Sequence, residues 1–159
     1  MIVIVMKNVL ALLTLYFALI ANVAIAATGN VIFNGTIAAT CTLVVNSNGT
    51  MTVSTNLQSL SSHNGGGSAG SVALITTGGV VLSVDPVTVT TVPAADVTAT
   101  TWTPTYLATG AHTIAETGAS TNLAAPGASA VSVHLAGAKG GSDTFAVGSY
   151  QATVTVRCE

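Results

Sequence analysis

Two cysteines, three histidines and a single tryptophan carry the most specific chemistry available to this 159-residue chain. Cys41 and Cys158 each continue an alternating apolar series. Val31, Phe33, Gly35, Ile37 and Ala39 lead to Cys41, and Tyr150, Ala152, Val154 and Val156 lead to Cys158. A period of two puts every second side chain on one face of an extended strand, so both thiols are expected to point into a core. In an oxidising compartment an even cysteine count implies a disulfide. A Cys41–Cys158 bond would close most of the chain into a loop, worth up to about 4.7 kcal/mol in the chain-entropy model.

The remaining reactive side chains do not form a catalytic pattern. His63, His112 and His134 lie in different segments, with no H-x-H or H-E-x-x-H spacing, so ordinary loop and strand-face positions are expected and no metal is predicted. Asp85, Asp96, Glu116, Asp143 and Glu159 are too scattered to mark an acid–base pair. Gly67-Ser68-Ala69-Gly70 lacks the spacing of a nucleophile elbow, and no phosphate-binding loop follows any glycine cluster. The chain is therefore not expected to be an enzyme or to need a cofactor. Trp102 and Tyr106 could present a platform to a sugar ring, but packing on the core or rim is the preferred reading of two large aromatics.

Composition narrows the partners. Charged residues are 5% of the chain, and after Lys7 the cations are Lys139 and Arg157 alone. Such a surface cannot neutralise a row of phosphates, which argues against nucleic acid. Low charge combined with many threonines and valines suits a subunit that is normally assembled, because a free monomer of this kind is prone to aggregate.

Residues 1–26 read as a cleaved secretory signal peptide, with Lys7, an apolar run over residues 9–20 and the A-x-A site Ala24-Ile25-Ala26. Residues 27–159 are then one domain. Short alternating segments separated by turn signals recur, and helical periodicity is missing after the leader, so the fold class is an all-β sandwich of about eight to ten short strands.

Several pairings are predicted. Cys41–Val45 and the strand carrying Met51 and Val53 read as a hairpin, with Val45 opposite Met51 and Leu43 opposite Val53. Val72–Thr76 and Val80–Val84, joined by Gly78-Gly79, read as a second hairpin. The stretches 87–92, 97–103, 112–115 and 131–135, and the neighbourhood of Tyr106, are further strand candidates. Residues 56–71, 118–127 and 136–142 read as loops.

The run Val31-Ile32-Phe33-Asn34-Gly35-Thr36-Ile37 followed by Cys41 resembles the start of pilin subunits of bacterial chaperone-usher fimbriae. Tyr150, Ala152, Val154 and Val156 resemble the alternating last strand that the family's periplasmic chaperone grips. Related secreted families, including spore-coat-U-like subunits, are similar to the same degree. The resemblance implies an immunoglobulin-like sandwich missing one strand, which a neighbouring subunit supplies. It implies identical or related subunits, a periplasmic chaperone and an outer-membrane usher as partners. It also implies passage through the periplasm to the cell surface, and a structural and adhesive role in a fimbrium. A monomeric module binding a host or surface glycan is the alternative. The chain departs from the family in placing its second cysteine at position 158, whereas common pilins carry it on the strand next to the first.

Gly29–Ala39 fits two roles, a donor strand inserted into a neighbour or the first strand of its own body. The body strand is the expectation, because loss of Phe33 and Ile37 would thin a core already short of aromatics.

Overall fold

The computed structural model describes residues 26–159, and the chain divides into two units, Met1–Gly35 and Thr36–Glu159. The signal peptide expected over 1–26 lies, apart from Ala26, outside the described residues. In the first unit, residues 26–35 are irregular, with every side chain exposed.

The second unit is all-β. Its twelve strands are β1 (Cys41–Ser47), β2 (Thr52–Val53), β3 (Ser59–Ser61), β4 (Gly70–Thr76), β5 (Val80–Val84), β6 (Val89–Thr91), β7 (Thr100–Gly110), β8 (Ile114–Thr117), β9 (Thr121–Leu123), β10 (Gly127–Lys139), β11 (Gln151–Thr153) and β12 (Val156–Cys158). All pairings are antiparallel.

The thirteen-residue strand β10 organises the larger layer. One edge pairs with β7 from Ser129 opposite Gly110 to Lys139 opposite Thr100. The other edge pairs first with β4 and then with β3, while β1 joins the far side of β4 and β8 extends β7. The facing strands form two smaller sheets, β12-β5-β9 and β11-β6.

Val72 and Leu74 of β4, Tyr106 of β7 and Val131 of β10 meet Leu82 of β5 and Leu123 of β9 in one buried cluster. Tyr106 is fully buried, and its hydroxyl lies 3.0 Å from Leu82 O, 2.9 Å from Ala119 O and 2.7 Å from Thr121 Oγ1. It therefore ties β7 to the chain on the opposite layer, and the hydroxyl that burial would otherwise penalise is satisfied.

The expected all-β sandwich is present, but several local pairings differ. Leu43 is opposite Leu74 and Val45 opposite Val72, so β1 pairs with β4 and not with the strand carrying Val53. That strand, β2, pairs with β3, which arises inside the region expected to be loop. The Gly78-Gly79 stretch does not close a hairpin. With φ of 86° and 72° it carries the chain from β4 in one layer to β5 in the other. Both glycines occupy the left-handed region that other residues enter at a cost. The loops expected over 118–127 and 136–142 contain β9 and the last part of β10. Separate candidates around residues 97–103 and Tyr106 merge into the eleven-residue β7.

The largest correction concerns Gly29–Ala39. No strand is assigned there, and Val31, Ile32, Phe33 and Ile37 are 76%, 79%, 90% and 84% exposed. It is not a body strand. The core does without Phe33 and Ile37 because Tyr106, Leu74, Leu82, Leu123 and Val131 fill its centre.

Candidate functional site

An open groove of about 760 Å³ runs along one side of the β-domain. Leu43 and Val45 of β1, Val72, Val133, and Ala152, Val154 and Val156 supply its apolar lining, beside polar residues that include Ser47, Asn48, Ser62 and Gln151.

Its origin lies in the strand order. Among the described residues β1 pairs only with β4, β11 only with β6 and β12 only with β5, so each has an edge without a partner among them. Side chains on and between those strands are incompletely covered: Cys41, Leu43, Val154, Val156 and Cys158 pack on the core yet stay half-buried, and Val45 is 67% exposed. An edge of free backbone donors and acceptors flanked by half-covered apolar side chains can accept an added strand.

The disulfide holds two of these strands together. Cys41 at the start of β1 is bonded to Cys158 at the end of β12, with Cα atoms 6.0 Å apart. The alternation expected near the C-terminus is present: Tyr150, Ala152, Val154, Val156 and Cys158 are half-buried, while Gln151, Thr153, Thr155 and Arg157 are exposed. The run divides into β11 and β12 instead of forming one strand, and pairs with β6 and β5 in turn. Arg157 on the outer face is fixed by Asp85, with Nε 2.9 Å and 2.7 Å from its two carboxylate oxygens.

Where β1 begins, the backbone is anchored. Thr77 Oγ1 accepts from Thr40 N–H at 2.7 Å and donates to Ala38 O at 2.9 Å, while Thr76 Oγ1 donates to Thr40 O at 2.9 Å. Residues 38–40 are thus fastened to the end of β4.

Tyr150 leads from the groove to a buried polar cluster. Lys139 Nζ lies 2.5 Å from Asp96 Oδ1, 2.7 Å from Thr98 O and 5.0 Å from the centre of the Phe145 ring. The Tyr150 hydroxyl donates to Asp96 Oδ2 at 2.7 Å. The side chains of Lys139 and Asp96 are 0% and 1% exposed. Lys139 beside it holds the Asp96 carboxyl below the usual carboxylate range against the opposing effect of burial, with Tyr150 assisting. Burial, reinforced by Asp96, raises the Tyr150 hydroxyl above its ordinary value. All the donors and acceptors have partners, so the cluster reads as a brace between the 96–98 segment and the end of β10.

Trp102 and Tyr106 do not form a sugar platform. Tyr106 is fully buried, and Trp102 covers the backbone at Gly137, where an added Cβ would lie 2.6 Å from its ring. Trp102 also packs at a tilt on Phe145, with ring centres 6.5 Å apart.

The histidines separate into two environments. His112 bonds to Ser129 Oγ and Ala125 O. His63, just after β3, stacks on His134 of β10 with ring centres 3.9 Å apart, and its Nε2 is 2.9 Å from Glu116 Oε1 of β8. Thr105 Oγ1 donates to the same oxygen at 2.5 Å. That hydroxyl first, and His63 second, lower the Glu116 pKa against the effect of burial. Burial, then the neighbouring His63, lowers the His134 pKa. Sequence spacing concealed this grouping, because 71 positions separate the two histidines and Glu116 comes from a third strand.

Compared with family models, curated proteins and solved structures, the chain matches none of them. Its own groove, edges and exposed segment therefore carry the functional reading.

Proposed function

We propose that this chain is an exported structural subunit of a surface fibre, joined to identical or related copies by strand addition. In this reading the Gly29–Ala39 segment of one copy fills the groove of the next. The observation that supports it most is the coexistence of a groove of mixed lining with apolar side chains from β1, β11 and β12, a strand edge beside it without a partner among the described residues, and an exposed segment with alternating apolar residues.

The lengths agree. β1 offers seven residues of edge, roughly 24 Å at 3.4 Å per residue, and Val31–Ile37 is also seven residues long. Val31, Phe33 and Ile37 would point into the groove, with Gly35 where it is shallow, while backbone hydrogen bonds to the edge would be independent of side chain. The arrangement corresponds to an immunoglobulin-like sandwich completed in trans. Before assembly the same groove needs temporary cover, which a periplasmic chaperone would supply before delivery to an outer-membrane usher.

Deleting residues 27–37 while keeping Cys41 tests the reading. The expected product is a folded, disulfide-bonded monomer that forms no fibres by negative-stain microscopy and binds a synthetic Gly29–Ala39 peptide. A truncated chain that fails to fold, or that still polymerises, would overturn the proposal.

A further inference from the structure

His63, Glu116 and His134 come from three separate elements, the turn after β3, strand β8 and strand β10, yet one ligand atom of each lies within 4.8 Å of the others. We propose that these residues form a binding site for a divalent transition-metal ion of the zinc class. The proposal does not rest on strand addition.

Two imidazole nitrogens and one carboxylate oxygen match the preference of such an ion, and three protein ligands leave a fourth tetrahedral position for water or a second group. Hard cations such as magnesium and calcium favour all-oxygen sites and fit this set poorly.

The hydrogen bonds around His134 favour ligation. Its Nδ1 is 3.0 Å from Ser62 Oγ, which also accepts the Leu135 N–H at 3.1 Å. A ring that donates from Nδ1 to Ser62 presents the Nε2 lone pair, the arrangement that fixes tautomer and direction in metal-binding histidines. Thr105 steadies Glu116 in a comparable way.

His63 Nε2 and Glu116 Oε1 now face each other at hydrogen-bond distance, 2.9 Å. An ion between them would need bonds of about 2.0–2.2 Å to each ligand atom, a modest widening of the pair. The hydrogen shared by that pair is displaced by the ion, to Nδ1 of the same ring or to solvent, because a metal-bound imidazole nitrogen must offer its lone pair. The His63 ring must tilt from its stack on His134 for the two lone pairs to converge. Its side chain is 46% exposed and can do so.

The experiment is calorimetric titration of ZnCl2 into the tag-free, disulfide-bonded protein, with far-ultraviolet circular dichroism as a control for folding. One zinc ion per chain is expected. Affinity should fall by at least about tenfold in His63→Ala, Glu116→Gln and His134→Ala, since loss of even an outer-shell partner typically costs about 10–100-fold. His112→Ala should bind like the parent, and magnesium chloride should not compete. His63→Ala and Glu116→Gln alter exposed side chains, so they remain informative if His134→Ala fails to fold. Absence of zinc binding by the parent, or binding unchanged in His63→Ala and Glu116→Gln, would overturn the proposal.

Discussion

At the scale of single residues, the buried Lys139–Asp96 pair has the clearest energetic consequence. Removing one partner leaves an uncompensated charge out of water, a change that costs about 3–5 kcal/mol in comparable sites. Asp96→Ala should lower the urea midpoint accordingly, whereas Asp96→Leu combined with Lys139→Met should recover much of the loss. The pH dependence has a defined sign. The folded-state pKa of Asp96 is depressed, chiefly by Lys139, so its stabilisation is complete above the unfolded aspartate value, about 3.9, and is lost as pH falls through the lower folded value. Urea midpoints measured from neutral to strongly acidic pH should show this acid loss in the parent and a shallower one in Asp96→Asn. Tyr106 gives a second case. Tyr106→Phe removes a fully buried hydroxyl shared by two carbonyls and Thr121, and should cost about 1–3 kcal/mol through groups left without their partner. Denaturant unfolding with unchanged near-ultraviolet signal would measure it.

At the scale of elements, the N-terminal segment and the groove make opposite demands on mutation. Phe33 is 90% exposed, so Phe33→Glu should change stability by no more than about 0.5 kcal/mol, where truncating a core phenylalanine costs about 3–5 kcal/mol. Under the strand-addition proposal the same substitution should abolish fibres, because a carboxylate would replace an apolar ring against Leu43, Val154 and Val156. Equal stability with fibres intact would count against Gly29–Ala39 as the donor. Groove residues differ from it, since Leu43, Val154 and Val156 also pack on the domain's own core. Their substitution should affect folding and assembly together.

At the scale of the whole molecule, the disulfide joins residues 117 positions apart, the start of β1 and the end of β12. Replacing both cysteines by serine should destabilise the chain by about 2–5 kcal/mol, read as a lower thermal midpoint under non-reducing conditions. The added Gly29–Ala39 peptide should recover part of that loss if it binds the native groove, because a ligand specific for the folded state stabilises it by mass action. No recovery at saturating peptide would argue that the groove is not its site.

The sequence by itself determined the all-β class, the disulfide and the inward face of the C-terminal run. These follow from a period of two and a cysteine count, and neither depends on which strands become neighbours. Tertiary structure alone decided the pairings, because an alternating strand is compatible with many partners. Leu43 and Val45 present the same apolar face to a local hairpin or to Leu74 and Val72 across the layer, and the chain adopts the second arrangement. Alternation in Val31–Ile37 likewise could not distinguish a core strand from an exposed segment, since both bury the same face, one in its own domain and the other in a proposed neighbour. The grouping of His63, Glu116 and His134 was hidden for a related reason. Metal-ligand motifs are legible when ligands share a turn or a helix, whereas these three converge only because β8 lies beside β7, β7 beside β10, and β10 beside β3.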